Sequence, residues 1–131
     1  MNSKIKKRWL TALRSGDYKQ SKNSLKSSDG YCCLGVLCDV VKGDLNIDWE
    51  DNSCDKDSPF RFRIDEETHY LPLSVSVYAD LVDNDKSSAK TKKLYNMTIF
   101  EFTRNSKVAL SHLNDCNNDF EAIANIIEDL L

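Results

Sequence analysis

The 131-residue sequence contains no apolar run approaching the ~20 residues that span a bilayer, so no transmembrane segment is expected. Residues 1–8 are basic, but no apolar stretch follows them, so no secretory signal is expected and the chain should stay where it is made. There is no glycine-rich phosphate loop, no HExxH and no nucleophile-elbow pattern. Neither His69, behind the acidic run Asp65, Glu66 and Glu67, nor His112, beside Asn114 and Asp115, assembles with neighbours into a mechanism. The expectation is a chain that is not an enzyme and has no catalytic residues and no cofactor. Internal repeats and a second domain are also lacking, so residues 1–131 are expected to form a single domain.

What is present belongs to an ordinary globular protein: 40% apolar and 30% charged residues, enough to build a core and too apolar for a disordered chain. The five cysteines (Cys32, Cys33, Cys38, Cys54 and Cys116) are an odd number, and three share one apolar stretch. That pattern suits reduced thiols in a cytosol better than a disulfide framework. A zinc site with His69 and His112 is disfavoured, because Cys33 and Cys38 on a helix diverge by about 140°. They are expected to be buried small hydrophobes without metal.

The net charge of −3 hides an asymmetry. Residues 1–30 hold eight Lys/Arg against Asp17 and Asp29, a net +6, whereas the rest holds ten basic and nineteen acidic side chains, a net −9. A basic end on an acidic body suits a small anion, or is only a solvated helix surface. Duplex nucleic acid is a poor partner, because the acidic remainder would repel its backbone.

Periodicity predicts an α+β fold, with a small antiparallel sheet packed with about five helices around a central buried helix. The first helix spans residues 3–15, with Ile5, Trp9, Ala12 and Leu13 inward. The second, over residues 31–42, is apolar on every side and should be the central element, ended by Gly43. Gly35 within it implies close approach of another backbone, and Asp39, its one charge, should be held by donors from residues 14–26. Strands are expected over residues 46–50, 60–64 and 97–103, with loops at 51–59 and 83–93. Further helices are expected at 72–81, with Val75, Tyr78, Ala79 and Leu81 inward, and at 106–113. A last helix opens on Asn118, with Glu121 completing a capping box and Phe120, Ile123, Ala124, Ile127 and Leu131 forming its stripe. Glu128 and Asp129 at its carboxyl end oppose the macrodipole, so that end should fray or meet a cation.

Binding groups concentrate near one turn: Arg14, Tyr18, Lys19, Gln20, Lys26 and Tyr31, with Asn114 and Asp115 at a helix end. Cations for phosphate, aromatic faces for a base and amides for its edge are what a nucleotide requires.

The stretches Leu13-Arg14-Ser15-Gly16-Asp17-Tyr18-Lys19-Gln20, Tyr31-Cys32-Cys33-Leu34-Gly35-Val36-Leu37-Cys38-Asp39, Tyr70-Leu71-Pro72 and Leu113-Asn114-Asp115 with Phe120-Glu121-Ala122-Ile123-Ala124 resemble a widespread family of small phage-encoded proteins. They span nearly the whole chain in order, and the Cys-Cys-Leu-Gly-Val-Leu-Cys-Asp run is specific. The resemblance implies a viral sponge that sequesters a cyclic nucleotide signal of bacterial antiphage defence without hydrolysing it. It also implies a homo-oligomer in the host bacterial cytoplasm. The signal would be a cyclic di- or oligonucleotide, or one of cyclic ADP-ribose type. Tyr78 stands where many members have Trp, and Cys116-Asn117-Asn118 replaces a turn that usually carries Gly. A protein–protein inhibitor or adaptor acting on a host protein is the competing reading, and a small nucleotide hydrolase a third.

Overall fold

A computed structural model describes residues 1–52, 61–81, 98–103, 106–116 and 118–131, with the backbone alone for 98–103, 106–109, 111 and 130. The fold is α+β, with five helices and a four-stranded antiparallel sheet among the described residues. Helix α1 (Ser3–Arg14) starts on Asn2, whose side chain accepts from the Lys4 and Ile5 amides, and buries Ile5, Trp9, Leu10 and Leu13. Trp9 Nε1 donates to the Cys33 carbonyl at 2.9 Å, which satisfies the polar atom of a fully buried ring.

Helix α2 (Cys33–Leu45) is the central element. Cys33 to Cys38 and Val41 are all buried, as an all-round apolar helix requires. Gly35 is where another backbone approaches: a Cβ there would stand 1.8 Å from the Leu25 carbonyl oxygen. Gly43 does not end this helix, contrary to its expected role. It keeps helical geometry, and Asn46, in the left-handed region at φ 55°, closes the last turn instead.

Strands β1 (Lys26–Ser27) and β2 (Gly30–Tyr31) form a tight hairpin across Ser28-Asp29. They join β3 (Trp49–Asp51) and β4 (Arg61–Ile64) in the order β2-β1-β4-β3, every pair antiparallel. The strand expected over 46–50 therefore begins only at Trp49, because Asn46 is taken by the helix cap. Residues 53–60, most of the expected 51–59 loop, lie outside the described residues, as do Cys54 and residues 83–93.

Helix α3 (Leu73–Tyr78) is shorter than the predicted 72–81, with Pro72 as its cap and Asp80 at φ 55° beyond it. Val75 and Ala79 are buried and Leu81 is half-buried, but Tyr78 faces outward and its hydroxyl donates to Asp44 at 3.2 Å. Strand β5 (Thr98–Thr103) pairs with β6 (Ser106–Ala109), so the helix expected from 106 starts only at Leu110. Pairing with a neighbouring strand outweighs the weak helical periodicity of those four residues. Helix α4 (Leu110–Asp115) leads to α5 (Phe120–Leu130), capped by Asp119 and not Asn118. Asp119 accepts from the Ala122 amide at 2.8 Å, while Asn118 donates through Nδ2 to the Leu113 carbonyl and closes α4. Phe120, Ile123, Ala124 and Ile127 are buried against the core, as the stripe requires. Glu128 does meet a cation: Arg14 reaches it at 2.8 Å from α1. No helix among the described residues is long and apolar enough to cross a membrane.

Candidate functional site

Seven of the eight predicted binding residues separate into three places, and Lys19 stands apart from them. Tyr18, Lys26 and Tyr31 come together on one face of the sheet. In register, Tyr31 and Phe62 flank Lys26 from the neighbouring strands, so their side chains share a face. The Lys26 ammonium lies 4.6 Å from the Phe62 ring centroid, 5.2 Å from Tyr31 and 5.3 Å from Trp49. Tyr31 meets Tyr18 and Trp49 edge-on at 5.1 and 6.0 Å. Beneath them is Asp39. It accepts from Tyr18 Oη at 2.7 Å and Trp49 Nε1 at 2.9 Å, and pairs with Lys42 Nζ at 3.1 Å. Burial pushes this carboxyl up, but the bonds from Tyr18, Trp49 and Lys42 outweigh it and hold it below its ordinary value. Burial, then the bond to Asp39, pushes the Tyr18 hydroxyl well up. The expected tie from the 14–26 segment to Asp39 is present, with Tyr18 as its donor.

Arg14, Gln20 and Asn114 are engaged within the fold. Arg14 is bonded to Asn125 and Glu128, with Glu121 at 3.5 Å, so it clasps α1 to α5. Asn114 is fully buried, and its oxygen accepts from Gln20 Nε2 at 2.9 Å and the Cys33 amide at 3.2 Å. Its nitrogen donates to the Ser21 carbonyl at 2.8 Å. Gln20 also donates to the Asn118 carbonyl. This set anchors residues 20–21 and the start of α2 to α4. Lys19 is exposed, and its carbonyl accepts from the Tyr31 amide.

Asp115 belongs to a third place, an open pocket of about 400 Å³. Its walls come from segments far apart in sequence, held by identifiable bonds. The Leu25 amide donates to the Thr68 carbonyl at 2.8 Å, which sets Asn23 and Ser24 beside His69 and Tyr70. Pairing of Ser27 with Arg61 brings the start of β4 to the same rim. Asp115 Oδ1 accepts from the Asn23 amide at 3.3 Å, which closes the wall made by α4. Cys32, the cap of α2, also lines it.

The polar groups of the pocket are poorly matched to one another. Arg61 Nη1 lies 3.3 Å from His69 Nε2, and since a guanidinium only donates, the imidazole nitrogen accepts. The acidic run before His69 is not its partner there. Neither Arg61 nor Asp115 has an ion-pair partner within 4.0 Å among the described residues. Tyr70 leaves 52% of its surface exposed beside them. A guanidinium, an imidazole, an open aromatic face and a carboxylate thus line one pocket of the size that holds small ligands, about 300–1,000 Å³. Sequence reasoning missed Arg61 and Tyr70 as ligand groups. Of the predicted ligand residues, Asp115 alone lines the pocket.

The described cysteines do not add chemistry to the pocket. Burial pushes the Cys32 thiol up to about 11 and those of Cys33 and Cys38 well above their ordinary value, which keeps them protonated. Cys116 is exposed just past the end of α4, its sulfur 3.4 Å from His112 Nε2.

Fold and pocket together define a small α+β domain with a charged, open pocket where β4 begins. A family model described as a domain of unknown function, DUF8296, matches residues 1–131, and the chain belongs to that family. No curated protein and no solved structure matches the chain.

Proposed function

We propose that this protein is a phage anti-defence factor that binds a cyclic nucleotide immune signal and sequesters it without hydrolysis, in the cytoplasm of the bacterial host. The observation that carries the binding part is the pocket shared by Arg61, His69, Tyr70 and Asp115. It combines a guanidinium and an imidazole for phosphate, an exposed ring for stacking and an acceptor for a base edge. The phage setting, the sponge action and a homo-oligomeric state rest on the sequence resemblance. Of the residues first considered, Asp115 keeps a place in the ligand site. Tyr18, Lys26 and Tyr31 support the sheet beside it, and Arg14, Gln20 and Asn114 hold the frame.

The test is a thermal-shift panel of cyclic di- and trinucleotides and cyclic ADP-ribose isomers, followed by recovery of the ligand after denaturation. A ligand at a hundred times its dissociation constant stabilises by about 2.7 kcal/mol, a shift of roughly 8 °C for a chain of this size. Sequestration expects that shift for one member of the panel and recovery of that member intact. No shift across the panel rejects the nucleotide, and recovery of a cleaved product makes the protein a hydrolase.

One feature favours the alternative of a protein–protein inhibitor or adaptor. Tyr70, Leu73, Val77 and Tyr78 are large apolar side chains exposed along and just before α3. A chain that shifts with no nucleotide but is protected there on adding a host protein would establish that reading instead.

A further inference from the structure

Within the pocket, the two charged groups sit on different walls and do not neutralise each other. Arg61, on β4, has one donor near His69 and no carboxylate within 4.0 Å among the described residues. Asp115, on α4, receives two long bonds on Oδ1, from the Asn23 amide and from Asn114 Nδ2, both at 3.3 Å. Its Oδ2 has no partner among the described residues. The pocket therefore has a donor end and an acceptor-only end, with the Tyr70 ring on the same lining.

That polarity selects among bases. An ionised carboxylate can only accept. Guanine presents two adjacent donors on its Watson–Crick edge, N1–H and the 2-amino group. Adenine and cytosine each set a ring acceptor beside their amino group, which would face the carboxylate with like polarity. Uracil sets its single N–H between two carbonyls. Only guanine can place two donors on the carboxylate without an opposed lone pair, one on the open Oδ2 and one on Oδ1 beside its two long bonds.

We infer that the pocket is selective for guanine nucleotides. The guanine edge lies on Asp115, the base lies over Tyr70, and a phosphate lies on Arg61 and His69. This rests on the nucleotide reading above and adds the identity of the base.

Calorimetry on the full chain with cyclic di-GMP and cyclic di-AMP tests the inference. The guanine ring should bind at least about tenfold tighter, the discrimination expected of one bidentate contact to a base. Asp115→Asn keeps an oxygen for the Asn23 amide but presents an amide to the base, and should abolish that preference. Arg61→Gln should weaken both ligands alike and leave the preference intact. Equal or tighter binding of cyclic di-AMP, or an unchanged preference in Asp115→Asn, overturns the guanine assignment while leaving the nucleotide reading standing. If neither ring nor any other member of the nucleotide panel binds, both fall. Should Asp115→Asn fail to fold, the wild-type ratio decides alone.

Discussion

The sheet carries two polar constellations of nearly the same composition, and they have opposite fates. On one face a carboxylate, two lysines and four aromatic rings close on one another: Asp39 is met by three donors, and Lys26 is enclosed by Tyr31, Trp49 and Phe62. At the pocket, Asp115, Arg61, His69 and Tyr70 hold the same kinds of group, yet the opposite charges do not pair. Buried polar groups are costly unless satisfied, so the first set stabilises the fold by satisfying itself. The second keeps unspent hydrogen-bonding capacity where solvent and a ligand can reach it. Residue type does not separate these two sets. Partner satisfaction does.

The contrast is broken most severely at the contact under both constellations. Leu25 lies between Tyr18 and Lys26 in sequence and beside the pocket loop, and its carbonyl is seated against Gly35. Gly35→Ala should cost more than about 3 kcal/mol, because a Cβ at 1.8 Å from a backbone oxygen cannot be relieved by a rotamer change. Gly43→Ala on the same helix meets nothing within 4 Å and should instead gain about 0.5–1 kcal/mol. Urea denaturation of the two variants measures both. Equal effects would mean that Leu25 does not rest on α2.

Next in size is the closed constellation itself. Asp39→Ala leaves Tyr18 and Trp49 without their acceptor and should cost about 2 kcal/mol. Its pH dependence follows from the same bonds. Asp39 is held below its ordinary value of 3.8, so its contribution is present above that value and is lost as pH falls through the lower folded one. Tyr18 is raised above its ordinary 10.0, so its contribution is present below pH 10 and is lost as pH rises towards the raised folded value. Denaturant midpoints should therefore hold between about pH 4 and 10 as far as this pair is concerned. Tyr18→Phe should flatten the alkaline limb, and an undiminished alkaline loss in that variant would place its origin elsewhere.

The closed half was far more legible in the sequence than the open one. The stripes of α1 and α5, the all-round apolar α2, the close approach at Gly35 and the partner for Asp39 each follow from local periodicity or from one misfit residue. The misses arose where a distant partner or a competing cap decided the outcome. Residues 106–109 pair with β5, Asn46 terminates α2 in place of Gly43, and Asp119 displaces Asn118 as the cap. The site was harder for the same reason. Arg14 and Gln20 looked available beside Tyr18, but Glu128 and Asn114, some ninety or more positions onward, hold them. The pocket draws on five separated segments, so no spacing in the chain could announce it.

The smallest expected change in stability carries the greatest weight for function. Tyr70 is half exposed, and no hydrogen bond of its side chain holds the described fold together. Its nearest ring neighbour is His69, tilted at 6.5 Å. Tyr70→Ala should thus alter stability by no more than about 0.5 kcal/mol, the ordinary range for surface substitutions. If the ring is a stacking platform, the same change removes about 1–3 kcal/mol of binding, a loss of roughly fivefold to over a hundredfold in affinity. That loss should persist at high salt, because stacking is not screened, whereas the loss in Arg61→Gln should shrink as salt rises. Tyr31→Ala is the control from the closed face: it should destabilise the fold by removing contacts to Tyr18, Trp49 and Lys26, and leave ligand affinity near wild type. Calorimetry and denaturant melts on the three variants separate the roles. If Tyr31→Ala abolished binding while Tyr70→Ala did not, the ligand would belong on the closed face, and the assignment of the open pocket would be lost.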